Sequence, residues 1–311
     1  MNPELFHADL LAKPEALAAL AASLREGDPF DGLPSDIRRV VFLGMGSSRF
    51  AARVAARRLR AAGIDAVAEY ASAPPPPSRP GTLFVAISAT GGSRETLDAL
   101  AEVDGPFLAL TNVPDSPVTE GADWVVPMLA GPEKGGVACR TFQHTLVLLL
   151  ALEARLTGTR TDLPGLVERT AEASADLLEG RWMEQVLPLL DGPHGLYAIA
   201  PAQRISSAEQ SALMVREGPR RPADACETGD WAHVDVYLTK TLDYRALLFP
   251  GSRYDAQAME WITQRGSTVV SVGADVPGAA ASVRYPGDDD PDVALLTETL
   301  VAELVAAAWW R

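Results

Sequence analysis

The sequence predicts an α/β protein with two lobes, each built on a parallel sheet that is flanked by helices. Three observations predict this class. Strand-like and helical patterns alternate over residues 36–157, and β-α-β order is typical of a parallel sheet with helices on both faces. The alternation pauses over residues 158–190 and begins again at residue 191. Residues 83–112 and 247–274 also share one order of strand, loop, helix, turn and strand, which indicates a duplicated lobe.

The elements of the first lobe follow from helical leucine spacing and from short apolar runs. Residues 1–35 are a helical lead-in, since leucines recur at helical spacing up to a Gly-Asp-Pro stop. Five apolar runs predict strands at residues 39–43, 66–70, 83–87, 107–111 and 124–127. Helical patterns predict helices at residues 48–62, 95–103 and 142–156. The last of these helices is apolar on all sides, so it must be covered all round.

The second lobe repeats this order after a connector that contains two helical patterns. Its strands are predicted at residues 196–200, 246–249 and 268–272. Its helices are predicted at residues 206–216, 255–264 and 293–309. The chain is therefore divided into a lead-in, a first lobe, a connector and a second lobe at residues 1–35, 36–157, 158–190 and 191–311.

Composition limits the partners and the compartment. The net charge of −14 over 311 residues argues against nucleic acid and against an anionic membrane surface as partners. The first four residues lack a basic segment, and no apolar run reaches the roughly 18 residues of a membrane span, so we expect neither a signal peptide nor a membrane partner. Cys226 and His233 are too far apart for a compact zinc site, and Cys139 is the one other cysteine. We expect a cytoplasmic protein without metal or cofactor.

The segment 88–93, after the third predicted strand, carries three hydroxyl side chains and two glycines. Backbone N–H groups at a helix N-terminus lack partners and lie at the positive end of the helix dipole, so they bind anions. Ser88, Thr90 and Ser93 can donate further hydrogen bonds to phosphate oxygens. No lysine is adjacent, which excludes a nucleotide P-loop. The alternative is structural, with Ser93 as an N-cap and the glycines as a turn.

A second loop of this kind follows the first predicted strand and contains Gly44, Gly46, Ser47 and Ser48. Ligands of open α/β sheets bind beyond the carboxyl ends of the strands, so two such loops predict a small phosphorylated ligand. A dinucleotide site is the alternative, because Gly44-x-Gly46 can begin the pattern Gly-x-Gly-x-x-Gly. However, the third glycine position holds Arg49, and the segment 88–93 stays unexplained.

The order of these motifs resembles the SIS (sugar isomerase) family. More narrowly, it resembles the isomerase half of glucosamine-6-phosphate synthase and its stand-alone isomerase, deaminase and deglycase relatives. The resemblance rests on Gly46-Ser47-Ser48, on EYAS at 69–72, on residues 88–96, on ALTN at 109–112 followed by Ser116-Pro117, and on AGPE at 130–133. It implies two tandem SIS lobes of Rossmann-like, flavodoxin-like type, and a homodimer with shared active sites.

The resemblance also implies which residues form a sugar-phosphate site. The side chains expected to hold the phosphate are Ser47, Ser48, Ser88, Thr90 and Ser93. Further substrate contacts are implied at Gly46, Gly91 and Val137.

The implied catalytic pair is Glu217 and His233. The family's catalytic glutamate aligns with Glu217, and its ring-opening histidine, which the partner subunit donates, aligns with His233. A carboxylate can move a proton between C1 and C2, and a histidine can pass one to the ring oxygen. The alternatives are a solvated helix end for Glu217 and an ordinary surface loop for His233.

Two lysines of the family are missing. One position holds Met214, and the C-terminal tail reads AAAWWR, so imine chemistry through these lysines is excluded. The sequence thus predicts a metal-free isomerase or deaminase (or deglycase) that acts on a phosphorylated sugar or amino-sugar by C1/C2 proton transfer. The alternative is a non-catalytic sugar-phosphate sensor. The expected partners are a small phosphorylated sugar and a second copy of the chain.

Overall fold

The computed structural model describes residues 1–159 and 161–311, and these residues form two compact units. Arg160, which falls within the predicted connector, lies outside the described residues. The first unit comprises Glu15–Glu133 and Ala138–Glu168, and the second unit comprises Met1–Pro14, Lys134–Val137 and Arg169–Arg311.

Strands and helices alternate along most of the chain. The strands are β1 (Arg39–Gly44), β2 (Asp65–Tyr70), β3 (Thr82–Ile87), β4 (Phe107–Thr111), β5 (Trp124–Pro127), β6 (Leu196–Ala200), β7 (Ala223–Glu227), β8 (Arg245–Leu248), β9 (Thr268–Val272) and β10 (Ala281–Val283). The helices are α1 (Pro3–Leu11), α2 (Lys13–Glu26), α3 (Gly46–Ala61), α4 (Arg94–Ala101), α5 (Arg140–Thr157), α6 (Leu163–Leu178), α7 (Met183–Leu190), α8 (Ile205–Glu217), α9 (Thr228–Trp231), α10 (Asp255–Gln264), α11 (Pro291–Thr297) and α12 (Thr299–Trp310).

The first unit holds a five-stranded parallel sheet of order β2-β1-β3-β4-β5. Its central strand β3 is buried along its whole length, as expected for a parallel strand that is covered on both faces. The predicted all-apolar helix is α5, which is buried from Arg140 through Leu152. The prediction that this helix is covered all round is confirmed.

The second unit holds a parallel sheet of order β7-β6-β8-β9-β10. Counted from the first strand of each unit, both sheets have the order 2-1-3-4-5. The predicted duplication is therefore confirmed, and the two segments that share a sequence pattern both begin in the third strand, β3 in one sheet and β8 in the other.

The second lobe holds two strands that were not predicted and one predicted helix that is interrupted at a single residue. β7 and β10 were not predicted, because β7 is a half-buried edge strand without an apolar run and β10 has only three residues. The helix predicted over 293–309 is present as α11 and α12, which are separated only by Glu298, a residue with helical backbone angles (φ −62°, ψ −26°). This carboxylate is fully buried in an ion pair with Arg204, 2.9 Å away, so a polar contact lies inside the apolar stretch.

The C-terminal segment Pro291–Trp310 is long and apolar enough to cross a membrane, contrary to the expectation that no run reaches this length. Most of it is buried in the protein. Within the second unit, α12 packs on α1 and α8, and the ring of Trp310 lies 5.8 Å from that of Phe6. Glu303 of α12 forms a fully buried ion pair with Lys13, with 2.6 Å between Oε2 and Nζ. These contacts are those of a core helix.

Candidate functional site

The first sheet reverses its strand order between β1 and β3, which pair in parallel with Leu43 opposite Ala86. Open α/β sheets bind ligands beyond the carboxyl ends of the strands at such a reversal, because the two following loops diverge there. The loops that follow β1 and β3 are the two predicted hydroxyl loops, residues 45–48 and 88–93. The fold therefore brings both predicted loops to neighbouring strand ends.

The loop after β1 is the start of α3. The helix begins at Gly46, and Ser47 and Ser48 form its first turn. The side chain of the N-cap residue, Met45, makes no capping hydrogen bond, and the first turn contains no acidic residue. Gly46 is exposed and has a φ of 48°, in the left-handed region that glycine tolerates best. The Ser48 N–H donates to the Met45 carbonyl oxygen at 3.1 Å, and a helix start without a side-chain cap or an acidic residue is suited to an anion.

The loop after β3 is a tight turn. Ser88 is buried, and its carbonyl oxygen accepts a hydrogen bond from the Gly91 backbone N–H at 3.0 Å. Gly91 has a φ of 68°, and a Cβ atom there would lie 1.8 Å from the Ser116 Oγ atom. Glycine is therefore required at this position both for its φ and for the close approach of Ser116. Thr90 is exposed at the tip of the turn.

Ser93 is the N-cap residue of α4, but its side chain makes no capping hydrogen bond. Its hydroxyl donates instead to Glu95 Oε2 at 3.0 Å. The pKa of Glu95 is lowered by its own backbone N–H, by this hydroxyl and by Arg94. Ser93 therefore occupies the N-cap position that the structural alternative predicts, but its side chain does not cap the helix.

Glu217 is the last residue of α8 and is half-buried. Burial raises the pKa of its carboxyl group, and Arg216 opposes this shift. A carboxylate with a raised pKa is better matched to proton transfer near neutral pH. On the same helix Met214, where the family has lysine, is fully buried, and Gln210 Nε2 donates to its Sδ atom at 3.6 Å.

His233 is exposed on a turn between α9 and a 3₁₀ helix, Asp235–Lys240. Its backbone N–H donates to the Asp230 carbonyl oxygen at 2.8 Å. Two apolar neighbours are also exposed, Val234 by 53% and Tyr237 by 60%. The structure therefore places His233 on an exposed loop.

The predicted site residues are divided between the two units. The five phosphate-binding side chains, with Gly46 and Gly91, belong to the first unit. Glu217 and His233 belong to the second unit, as does Val137, which is buried.

The sequence of residues 35–155 matches the family described as SIS domain. This segment is an SIS domain. The chain is 29% identical over 259 residues to glutamine–fructose-6-phosphate aminotransferase (isomerizing) of Aeropyrum pernix, a match that covers 76% of this chain and 42% of that protein. The chain thus spans less than half the length of this curated relative.

Solved structures share the fold across nearly the whole chain. The C-terminal domain of glucosamine-fructose-6-phosphate aminotransferase from Francisella tularensis has a TM-score of 0.81 at 18% identity and covers 97% of this chain and 94% of its own. Glucosamine-6-phosphate deaminase from Thermotoga maritima has a TM-score of 0.74 at 18% identity, with 98% and 92% covered.

Two further motif residues of the SIS domain hold its loops in place. The Asn112 side chain donates from Nδ2 to the Gly131 carbonyl oxygen at 2.8 Å and accepts from the Ala130 N–H at 2.9 Å. Glu133 caps α5, because its Oε1 atom accepts from the backbone N–H groups of Cys139 at 2.7 Å, Arg140 at 2.6 Å and Thr141 at 3.2 Å. The sequence motifs pointed to both residues without revealing these contacts.

The second unit differs at the position that corresponds to residues 88–93 of the SIS domain, because a side chain occupies the backbone N–H groups there. After β8, Asp255 Oδ2 accepts the backbone N–H groups of Gly251 at 2.7 Å and Ser252 at 3.0 Å. Arg204, which follows β6, donates to the Pro250 carbonyl oxygen at 2.5 Å. The protein's own carboxylate therefore holds the place that an anion would take.

A cavity of about 910 Å³ lies beside Asp255, and none of the predicted site residues lines it.

Proposed function

We propose that this chain binds a phosphorylated sugar through the hydroxyl loops of its SIS domain and that it isomerises or deaminates this sugar. One observation carries the proposal: two glycine–hydroxyl loops begin helices at the β1/β3 reversal, and neither N-cap side chain makes a capping hydrogen bond. The names of the similar proteins support it, since they describe an isomerizing aminotransferase for fructose 6-phosphate and a deaminase of glucosamine 6-phosphate.

Glu217 is the proposed base. In the aldose-to-ketose direction it takes the proton from C2 of the open-chain sugar and returns it to C1, with an enediolate between the two transfers, while the O2 hydroxyl proton passes to O1. The raised pKa of this carboxyl group supports the role, because a base is most useful when its pKa is near the working pH. His233 is the proposed donor of the proton that the ring oxygen needs as the ring opens.

We propose further that the active site is shared between two copies of the chain. The exposure of His233 together with Val234 and Tyr237 supports a loop that is completed by another subunit. Mixing an inactive Glu217→Gln variant with an inactive His233→Ala variant tests this. Some activity should return, because one site in each mixed dimer carries neither change. Verified mixed dimers without activity would contradict the shared site.

The second candidate function is a sugar-phosphate sensor without turnover. The burial of Met214 favours it, since the family's lysine position offers no amine here. The parent protein distinguishes the two functions: an enzyme turns over at least one of the hexose or hexosamine 6-phosphates, whereas a sensor binds one and converts none.

Thermal unfolding with a panel of hexose and hexosamine 6-phosphates tests the proposal, with the unphosphorylated sugars as controls. A ligand at a hundredfold excess over its Kd stabilises the folded state by about 2.7 kcal/mol. We expect one or more phosphorylated sugars to raise the unfolding temperature and their unphosphorylated forms to have little effect. Equal effects of both forms would contradict a phosphate-dependent site.

A further inference from the structure

Three buried side chains of the second unit form a chain of hydrogen bonds beside the turn that carries His233. Trp231 Nε1 donates to the Tyr244 hydroxyl oxygen at 2.9 Å, and this hydroxyl donates to Asp235 Oδ2 at 3.0 Å. Trp231, Tyr244 and Asp235 are 0%, 1% and 5% exposed. One phenol hydroxyl thus serves as acceptor and donor at once.

The two hydrogen-bond partners of the Tyr244 hydroxyl lie on either side of His233 in the sequence. Trp231 precedes it by two residues and Asp235 follows it by two, so Tyr244 holds both ends of a five-residue turn. The imidazole lies between these two anchors and is exposed. Buried polar groups cost free energy unless they are hydrogen-bonded, so these bonds keep the ends of the turn in one place.

Tyr244 is itself immobilised by aromatic packing. Tyr197 stacks on it with 4.3 Å between ring centroids and an interplanar angle of 18°. Trp231 packs edge-on at 6.3 Å. Burial raises the pKa of Tyr244 well above its usual value, so the hydroxyl keeps the proton that it donates to Asp235.

We propose that Tyr244 is a positioning residue for His233, an inference that rests on the function proposed above. By holding Trp231 and Asp235, the phenol fixes the turn between them and hence the place from which the imidazole reaches the sugar. Tyr244 does not touch the ligand in this role. It acts through the backbone of the turn, and its loss should affect the proton transfer of His233 more than the affinity for the sugar.

Tyr244→Phe in the full chain tests the proposal, with Tyr197→Phe as the matched control. Both variants lose one hydroxyl from the same aromatic stack, but the Tyr197 hydroxyl is outside the hydrogen-bonded chain. We expect Tyr244→Phe to lower kcat by about 10- to 100-fold with KM little changed, because small misplacements of a reacting group have effects of this size. The control variant, Tyr197→Phe, should keep the kcat and the KM of the parent protein. An equal kcat in the two variants would overturn the proposal.

The Asp235 end of the chain gives a second pair of variants. Asp235→Asn keeps an oxygen that can accept from the Tyr244 hydroxyl, whereas Asp235→Leu keeps none. We expect the Asn variant to retain most of the parental kcat and the Leu variant to lose it. Equal kcat values in these two variants would contradict the positioning role of Tyr244, even if Tyr244→Phe does not fold.

Backbone hydrogen exchange at residues 232–234 separates this inference from the proposed function. Exchange should be faster in Tyr244→Phe than in Tyr197→Phe, because the turn has lost its anchors. If the exchange rates at residues 232–234 are the same in both variants, Tyr244 does not hold the turn, even in an active enzyme. If instead the parent turns over no sugar phosphate, or His233→Ala keeps full activity, the proposed function fails while the exchange result still decides whether Tyr244 holds the turn.

Discussion

Replacing Gly91 by alanine should disrupt the hydroxyl loop 88–93, because the φ at this position is left-handed and there is no space for a side chain. The new Cβ atom would lie 1.8 Å from Ser116 Oγ, 2.3 Å from Ser116 Cβ and 3.2 Å from Thr111 Oγ1. The φ of 68° adds roughly 1–2 kcal/mol of left-handed strain. Overpacking adds roughly 1–3 kcal/mol, so we expect a loss of about 2–5 kcal/mol in the free energy of unfolding.

Gly92 offers the matched control, because it has no positive φ and a Cβ atom there meets nothing within 4 Å. Urea unfolding should show Gly92→Ala within about 0.5 kcal/mol of the parent protein. In a Ser116→Gly background the two closest contacts are gone and only that with Thr111 Oγ1 remains, so Gly91→Ala should there cost less, with the strain of about 1–2 kcal/mol as the main part. If Gly91→Ala proves as stable as Gly92→Ala, the geometry assigned to this turn is wrong.

Three other expectations follow from single side chains. Glu133→Gln should lower stability by about 1 kcal/mol, because it removes a negative charge from the N-terminus of α5, while Glu120→Gln on the surface should not. Burial raises the folded-state pKa of Glu217, so Glu217→Gln should be more stable than the parent above that pKa, and the gain should vanish below about pH 4 in unfolding measured against pH. Cys139 and Cys226 are buried, and burial raises the pKa of Cys226 to about 12, so a disulfide reagent at pH 8 should label neither thiol before unfolding.

Elements with apolar runs, or with apolar residues at helical spacing, could be predicted from the sequence. β4, β5, β6, β9 and α10 begin and end at the predicted residues. β7 and β10 could not be predicted, because an edge strand needs an apolar side chain only at some positions. The ion pair at the junction of α11 and α12 joins Glu298 to Arg204, 94 residues away, a contact that no local sequence pattern reveals.

The hydroxyl loops were predictable because their signal is local. A strand, a glycine, hydroxyl side chains and a helix follow one another within a dozen residues, and parallel strands bring two such loops to one edge. The contacts that hold the candidate site residues in place join parts of the chain that no local pattern relates. Glu133 is recognisable as the cap of α5 only in three dimensions, and the bonds from Trp231 and Asp235 to Tyr244 join residues that no sequence pattern relates.

Binding of glucosamine 6-phosphate and fructose 6-phosphate to a folded Ser88→Ala, Thr90→Ala, Ser93→Ala triple variant tests the central claim most directly. Each lost charge-assisted hydrogen bond should cost roughly 1.5–3 kcal/mol of binding free energy. By calorimetry we expect the triple variant to bind neither sugar measurably. Ser252→Ala, in the corresponding loop of the second sheet, should bind as the parent does, because Asp255 already fills that position. Parental affinity in the folded triple variant would show that these loops do not hold the phosphate.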